Sequence, residues 1–126
     1  MIMKALIIDD DDGSRRLMCD LLKLRNIECI AANSGSEALA LLSPEIRFCV
    51  TDIMMPDLNG YEVAKRIKKK YPEMPIIAST ASLSKVDKIK LAYIDLFDDV
   101  ILKPVELENF NKIIDGFLGR NNVGTK

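Results

Sequence analysis

Histidine is missing from the chain altogether. Its absence excludes a histidine-based catalytic triad, a histidine-rich zinc site and a phosphohistidine carrier. Cysteine is scarce and odd in number. Cys19, Cys29 and Cys49 lack CxxC spacing and stand among apolar neighbours, which makes them expected buried thiols in a reducing compartment. Long apolar runs are lacking too. No uncharged stretch approaches the ~20 residues needed to cross a bilayer, and the apolar opening of residues 1–8 meets Asp9 too soon for a signal peptide. Nor is either sign of charge in excess. Lys and Arg number 18 against 19 Asp and Glu, a net charge of -1, so there is no general pull toward nucleic acid or an acidic membrane. The expected location is cytoplasmic, with no membrane partner and no direct nucleic-acid partner.

What is present is an ordinary globular composition: 126 residues, 48% hydrophobic and 29% charged. Such a chain forms a single domain with a real core. Residues 1–120 are expected to make that domain and residues 121–126 a polar tail, without linker, repeat or low-complexity segment.

Taken in order, Ala5, Leu6, Ile7 and Ile8 read as a strand running into Asp9, Asp10, Asp11 and Asp12. A helix begins near Gly13 and Ser14, and Leu17, Met18, Leu21 and Leu22 give it helical spacing through about Arg25. A second strand covers residues 26–32. Ser34 to Glu37 matches a capping box that opens a helix with Ala38, Leu39, Leu41 and Leu42 inward, closed by Ser43 and Pro44. The third strand, residues 48–51, ends at Asp52, and Pro56 and Gly60 break the chain soon after. Asn59 to Glu62 repeats the capping pattern, with Val63 and Ile67 on one helical face. The basic end of that helix, residues 65–70, lacks interleaved aromatics, so it reads as a solvated terminus favoured by the helix dipole rather than a nucleic-acid patch. Residues 75–80 form a fourth strand that emerges into Ser79 and Thr80. A fourth helix opens at Ser84, with Val86, Ile89 and Tyr93 on roughly one face. Residues 100–102 form the fifth strand, ending at Lys103 and Pro104. Leu107, Phe110, Ile113, Ile114 and Phe117 form the inward stripe of the last helix.

Five continuous apolar strands alternating with five helices predict a parallel sheet covered on both faces. The simplest such architecture is a flavodoxin-like (βα)5 doubly wound sheet with strand order 2-1-3-4-5. Its ligand crevice lies at the carboxyl ends of strands 1 and 3, where Asp9, Asp10 and Asp52 stand. Converging carboxylates repel one another unless a cation neutralises them. With no soft ligand at hand, a hard divalent ion is expected, Mg²⁺ above all. Thr80 and Lys103, at the ends of strands 4 and 5, add a hydroxyl donor and a point charge. Together they suit a phosphoryl group. Asp11 and Asp12 are expected only to cap the first helix and favour its N-terminus.

Four blocks carry a resemblance that covers roughly residues 3 to 119. They are Ile7-Ile8-Asp9-Asp10, the run from Thr51-Asp52 through Met54-Met55-Pro56-Asp57 to Asn59-Gly60, then Thr80-Ala81, and Lys103-Pro104. In this order and spacing the chain resembles a receiver domain of the two-component response regulators, the family of the chemotaxis protein CheY. The resemblance implies that Asp52 accepts a phosphoryl group from a partner histidine kinase or histidine phosphotransfer protein. It implies that Asp10, Asp52 and the Met54 backbone carbonyl bind Mg²⁺, with Asp9 acting chiefly through a bound water. Thr80, the Ala81 backbone and Lys103 would hold the phosphoryl oxygens, and the Lys103–Pro104 peptide would be cis. The product would be a signalling switch that acts on an output protein, not an enzyme. It would stand alone or form the receiver part of a larger regulator or hybrid kinase.

The chain departs from the family at the readout. Val100 stands where the family usually carries Tyr or Phe, Leu96-Phe97 replaces a small Gly-Ala pair, and Val105 stands where Phe is common. The family's swinging aromatic is therefore not expected at Val100. Two other readings remain on this fold. An aspartyl-phosphate phosphatase of the haloacid dehalogenase type needs an acid two residues past the nucleophile, where Met54 stands. A phosphorylation-independent receiver would lack one of the acids or the lysine, and none is missing here, while a flavin binder has no use for the triple acid.

Overall fold

The apolar runs become β1 (Met3–Ile8), β2 (Ile27–Ala32), β3 (Ile46–Asp52), β4 (Ile76–Thr80) and β5 (Asp99–Leu102) in the computed structural model, which describes residues 2–81 and 96–121. Between and after them lie α1 (Asp12–Lys23), α2 (Gly35–Leu41), α3 (Gly60–Lys70) and α4 (Leu107–Asn121). All strand pairs are parallel and the order is β2-β1-β3-β4-β5, the flavodoxin-like order expected from the sequence. The helix expected to open at Ser84, with Val86, Ile89 and Tyr93, lies outside the described residues. So does the tail beyond residue 121. Among the described residues no helix is long and apolar enough to cross a membrane.

Strand residues point alternately to the two faces, and the core divides accordingly. Ala5 and Ile7 of β1 pack with Met18 and Leu22 of α1 and with Phe110 and Ile114 of α4. Leu6 and Ile8 pack on the other face with Ala38 of α2 and with Val63 and Ile67 of α3. Phe48 of β3 stacks on Phe117 of α4 with ring centroids 6.3 Å apart. Burying each such large side chain contributes about 1.5–3 kcal/mol, so both helical layers are held to the sheet by packing rather than by helix propensity.

The helix starts follow the sequence. Asp11 caps α1 by accepting from the Ser14 N–H, Ser34 caps α2 by accepting from Glu37, and Asn59 caps α3 by accepting from Glu62. The Glu37 carboxylate in turn accepts from the Asn33 N–H at 2.7 Å, one residue before the cap.

Several expectations need correcting. Leu107 is 51% exposed, because it is the first residue of α4 and precedes the buried stripe. Leu17 and Leu41 are also exposed. Leu17 lies off the arc of Met18, Leu21 and Leu22, while α2 ends at Leu41 and it is Leu42, on extended backbone, that packs inward. Lys68 is not a solvated end of α3: its ammonium donates to the Met74 carbonyl and pairs with Asp98 at 3.5 Å. The cysteines differ most. Cys49 is a wholly buried free thiol, pushed up to about 12 by burial. Cys19 and Cys29 are only partly buried and joined in a disulfide. Packing α1 against β2 brings their Cα atoms to 5.3 Å, a proximity that local spacing does not report.

Candidate functional site

The sheet register sets the site. Ile8 of β1 lies opposite Thr51 of β3, so Asp9, just past β1, stands level with Asp52, the last residue of β3 and the partner of Ser79 in β4. Thr80 of β4 lies opposite Leu102 of β5, and the Lys103 N–H donates to the Thr80 carbonyl at 2.9 Å. The four strand ends thus deliver their side chains to one edge. Carboxylate oxygens of Asp9, Asp10 and Asp52 lie within 4.8 Å of one another. Asp9 is 2% exposed and Asp52 7%, while Asp10 is on the open rim. The Lys103 ammonium is 2.9 Å from Asp9 Oδ2 and 3.6 Å from Asp52 Oδ1. Thr80 is buried beside them, Ala81 follows it exposed, and the Lys103–Pro104 peptide is cis. Asp9, Asp10, Asp52, Thr80 and Lys103 thus share one sheet edge.

The electrostatics follow from this crowding. Burial raises the Asp52 carboxyl above its usual range, Asp9 and Asp10 push it further, and Lys103 and the Met54 backbone N–H act against them. Burial of Lys103 would lower its ammonium, but the hydrogen bond and the charge of Asp9, aided by Asp52, outweigh it and raise it. The lysine partly neutralises two buried acids and leaves the Asp10 side of the cluster open. Three carboxylates with oxygen donors alone fit a hard ion such as Mg²⁺ rather than a thiophilic or imidazole-seeking metal.

Three supports were not legible in the sequence. Arg15 of α1 donates to the Asp9 carbonyl at 2.8 Å, and the Asp11 N–H donates to Asp9 Oδ1 at 2.9 Å. Together these fix the turn out of β1. Asp57, in the loop after β3, accepts from the Ser36 hydroxyl at 3.0 Å and from the N–H groups of Gly35 and Ser36. These bonds hold the carboxyl below its usual value, the Leu58 N–H most of all, and tie the loop to the start of α2. The signal for this role was Asp57's place in the quoted block, which names no partner.

Gly60 is the third support. Its N–H donates to the Ile53 carbonyl at 2.8 Å, and a Cβ there would lie 2.4 Å from the Asp52 carbonyl oxygen. Backbone cannot yield as a flexible side chain can. Gly60→Ala is expected to cost about 1–3 kcal/mol in urea denaturation and to displace the backbone that carries Asp52. An unchanged midpoint would show that the loop has room to spare.

At the readout position, Val100 is half-buried among Ile53, Tyr61 and Ala78. The ring in this region comes instead from Phe97, which meets Tyr61 edge-on with centroids 5.5 Å apart. The larger residue in place of the family's small pair thus supplies aromatic packing beside the smaller Val100.

The model of the response regulator receiver domain matches residues 5–115. A cyclic di-GMP phosphodiesterase of Thermotoga maritima is 36% identical over 106 residues, which cover 84% of this chain and 28% of that protein. The response regulator SaeR of Staphylococcus aureus is 33% identical over 99 residues, covering 79% of this chain and 43% of its own length. The chain thus spans less than half the length of these relatives. Among solved structures, a response regulator receiver domain protein from Clostridium thermocellum superposes with a TM-score of 0.85 at 26% identity, covering 97% of this chain and 98% of its own.

Proposed function

The chain belongs to the response regulator receiver family, and from that we propose that it is a Mg²⁺-dependent phosphoryl-accepting switch with Asp52 as the acceptor. The observation that carries this reading is the convergence of Asp9, Asp10 and Asp52 on one edge with Lys103 spanning two of them. An Asp52 carboxylate oxygen attacks the phosphorus of a phosphohistidine on a sensor kinase or phosphotransfer protein. The phosphorus–nitrogen bond breaks as the new acyl phosphate forms, and the donor imidazole keeps the electron pair and takes up a proton. Asp10, Asp52 and the Met54 carbonyl would hold Mg²⁺, with Asp9 reaching it through water. The bound ion would neutralise charge on the acceptor and on the transferring phosphoryl oxygens. Lys103 releases part of its hold on Asp9 to pair with one phosphoryl oxygen. Thr80 and the Ala81 backbone donate to others.

The protein is read as a switch that assists its own phosphorylation and dephosphorylation rather than an enzyme on a separate substrate. Residues 1–120 form the receiver and residues 121–126 a polar tail. It acts in the cytoplasm on an output protein, without contacting nucleic acid or membrane itself.

The phosphoryl group can bias the structure only if it binds two states unequally. Thr80 is the link we assign, because it ends β4 beside both the acceptor and Lys103. Amide NMR with Mg²⁺ and beryllofluoride, a phosphoryl mimic, tests this. Saturable shifts are expected at Asp52, Thr80, Ala81 and Lys103 in the wild type. In Thr80→Ala the shifts at Asp52, Ala81 and Lys103, whose own groups meet the mimic, should persist, while those at residues 99–101 of β5 largely vanish. Val100→Ala should retain them. Equal shifts in wild type and Thr80→Ala would remove the hydroxyl from the pathway, and no shift at Asp52 in any form would overturn the proposed site.

A further inference from the structure

We propose that Cys19 and Cys29 are a redox-responsive pair, opened and closed by thiol–disulfide exchange with a small anionic disulfide that enters beside Cys19. Three features of the pair set it apart from a permanent staple. A 126-residue domain with a two-sided core does not need one. Cys29 lies on the edge strand β2 and Cys19 on the helix that covers it, and both are only partly buried.

The third feature is a cleft of about 310 Å³ beside Cys19, lined by Asp12, Arg15, Arg16 and Ala31. Arg15 is occupied by Asp12 and the Asp9 carbonyl. Arg16 is exposed and pairs with no described acid, so its charge is available to an incoming carboxylate. Cys49 provides an internal contrast, being wholly buried with no path for a reagent.

The exchange balances as follows. The Cys19 thiolate attacks one sulfur of the oxidant, whose S–S bond breaks and whose other half leaves as a thiol after taking a proton. The Cys29 thiolate then attacks the Cys19 sulfur of the mixed disulfide and expels the second half, which is protonated in turn. The pair loses an electron and a proton from each thiol, and the oxidant is reduced to thiols. A dithiol reductant reverses the sequence. In a reducing compartment the pair would rest open and close under oxidative load, as cytosolic disulfides that sense redox state do. Closure fastens α1, which carries Arg15 to the Asp9 turn, to the edge of the sheet.

The probe is oxidised glutathione added to the fully reduced protein, followed by alkylation and peptide mapping by mass spectrometry. The expected product links the Cys19 and Cys29 peptides and leaves Cys49 without glutathione. Dithiothreitol should reopen the link under native conditions. In Cys29→Ser the glutathione should be trapped on Cys19. In Cys19→Ser the adduct on Cys29 should form about tenfold more slowly, and Arg16→Glu should slow closure by about three- to tenfold at low salt. Amides of residues 12–23 that exchange by global unfolding should exchange about tenfold or more slowly in the closed form. Both cysteines remaining free in oxidant would overturn the proposal without recourse to any variant. So would a link that resists native dithiothreitol, or equal adduct rates in the two serine variants.

Discussion

Asp52→Asn is expected to yield a folded protein that takes up no phosphoryl group from any donor. The amide keeps the size of the carboxylate at the end of β3 but has no nucleophilic oxygen, so the loss should be complete rather than partial. Neither Asp9 nor Asp10 can substitute. Asp9 is held by Lys103 and by the Asp11 N–H, and Asp10 stands on the rim. Stability should move the other way. Burial and the two neighbouring acids raise the Asp52 carboxyl above its ordinary value of 3.8, so its ionised form costs the folded state at neutral pH. That cost fades as pH falls through the raised value and is gone below the ordinary one, where folded and unfolded chains are both protonated. The variant should therefore be at least as stable as metal-free wild type at neutral pH, with the difference vanishing in acid. Urea denaturation at both pH values reads this directly. Destabilisation at neutral pH would mean that the carboxylate is a structural acceptor instead.

Asp10→Ala, or a chelator added to the wild type, should reduce phosphoryl transfer by about a thousandfold, the rate equivalent of the several kcal/mol that a bound cation supplies to developing phosphoryl charge. Lys103 already leans on Asp9 and Asp52, which leaves Asp10 as the acid free to recruit the ion. Its carboxylate accepts no hydrogen bond from a described residue, and it contributes charge to a crowded cluster. Removing it should therefore leave the metal-free protein no less stable, while the rise in melting temperature expected for wild type in Mg²⁺ should be lost. Rates of labelling by a small phosphodonor, with melting curves at matched Mg²⁺, separate the two effects. Marked destabilisation of metal-free Asp10→Ala would show that the acid is part of the scaffold.

The parts of this account that depend on strand ends were legible in the sequence. Apolar runs too continuous to alternate announced strands buried on both faces. In such a sheet the residues just past Ile8, Thr51, Ser79 and Leu102 must meet at one edge, as the register shows. Helix starts were legible for the same local reason, since Asp11, Ser34 and Asn59 need only their own next turn. What depended on how one element lies over another was not. The Cys19–Cys29 approach requires the placement of α1 on β2, and the Asp57 anchor requires that of the β3–α3 loop against α2. The exposure of Leu17 and Leu107 likewise depends on which arc of the helix meets the sheet and where that contact begins. Phe97 is the clearest case. Its sequence position flagged only a departure from a small residue, whereas its ring packs against Tyr61 beside Val100.

The measurement that bears most directly on the central claim is intact-mass spectrometry with peptide mapping after incubation with acetyl phosphate, run with and without Mg²⁺. The account predicts a phosphoryl adduct that forms only with Mg²⁺, maps to Asp52 and is released by hydroxylamine, as an acyl phosphate must be. An adduct that forms equally well without the ion, or that maps to another residue, would contradict it.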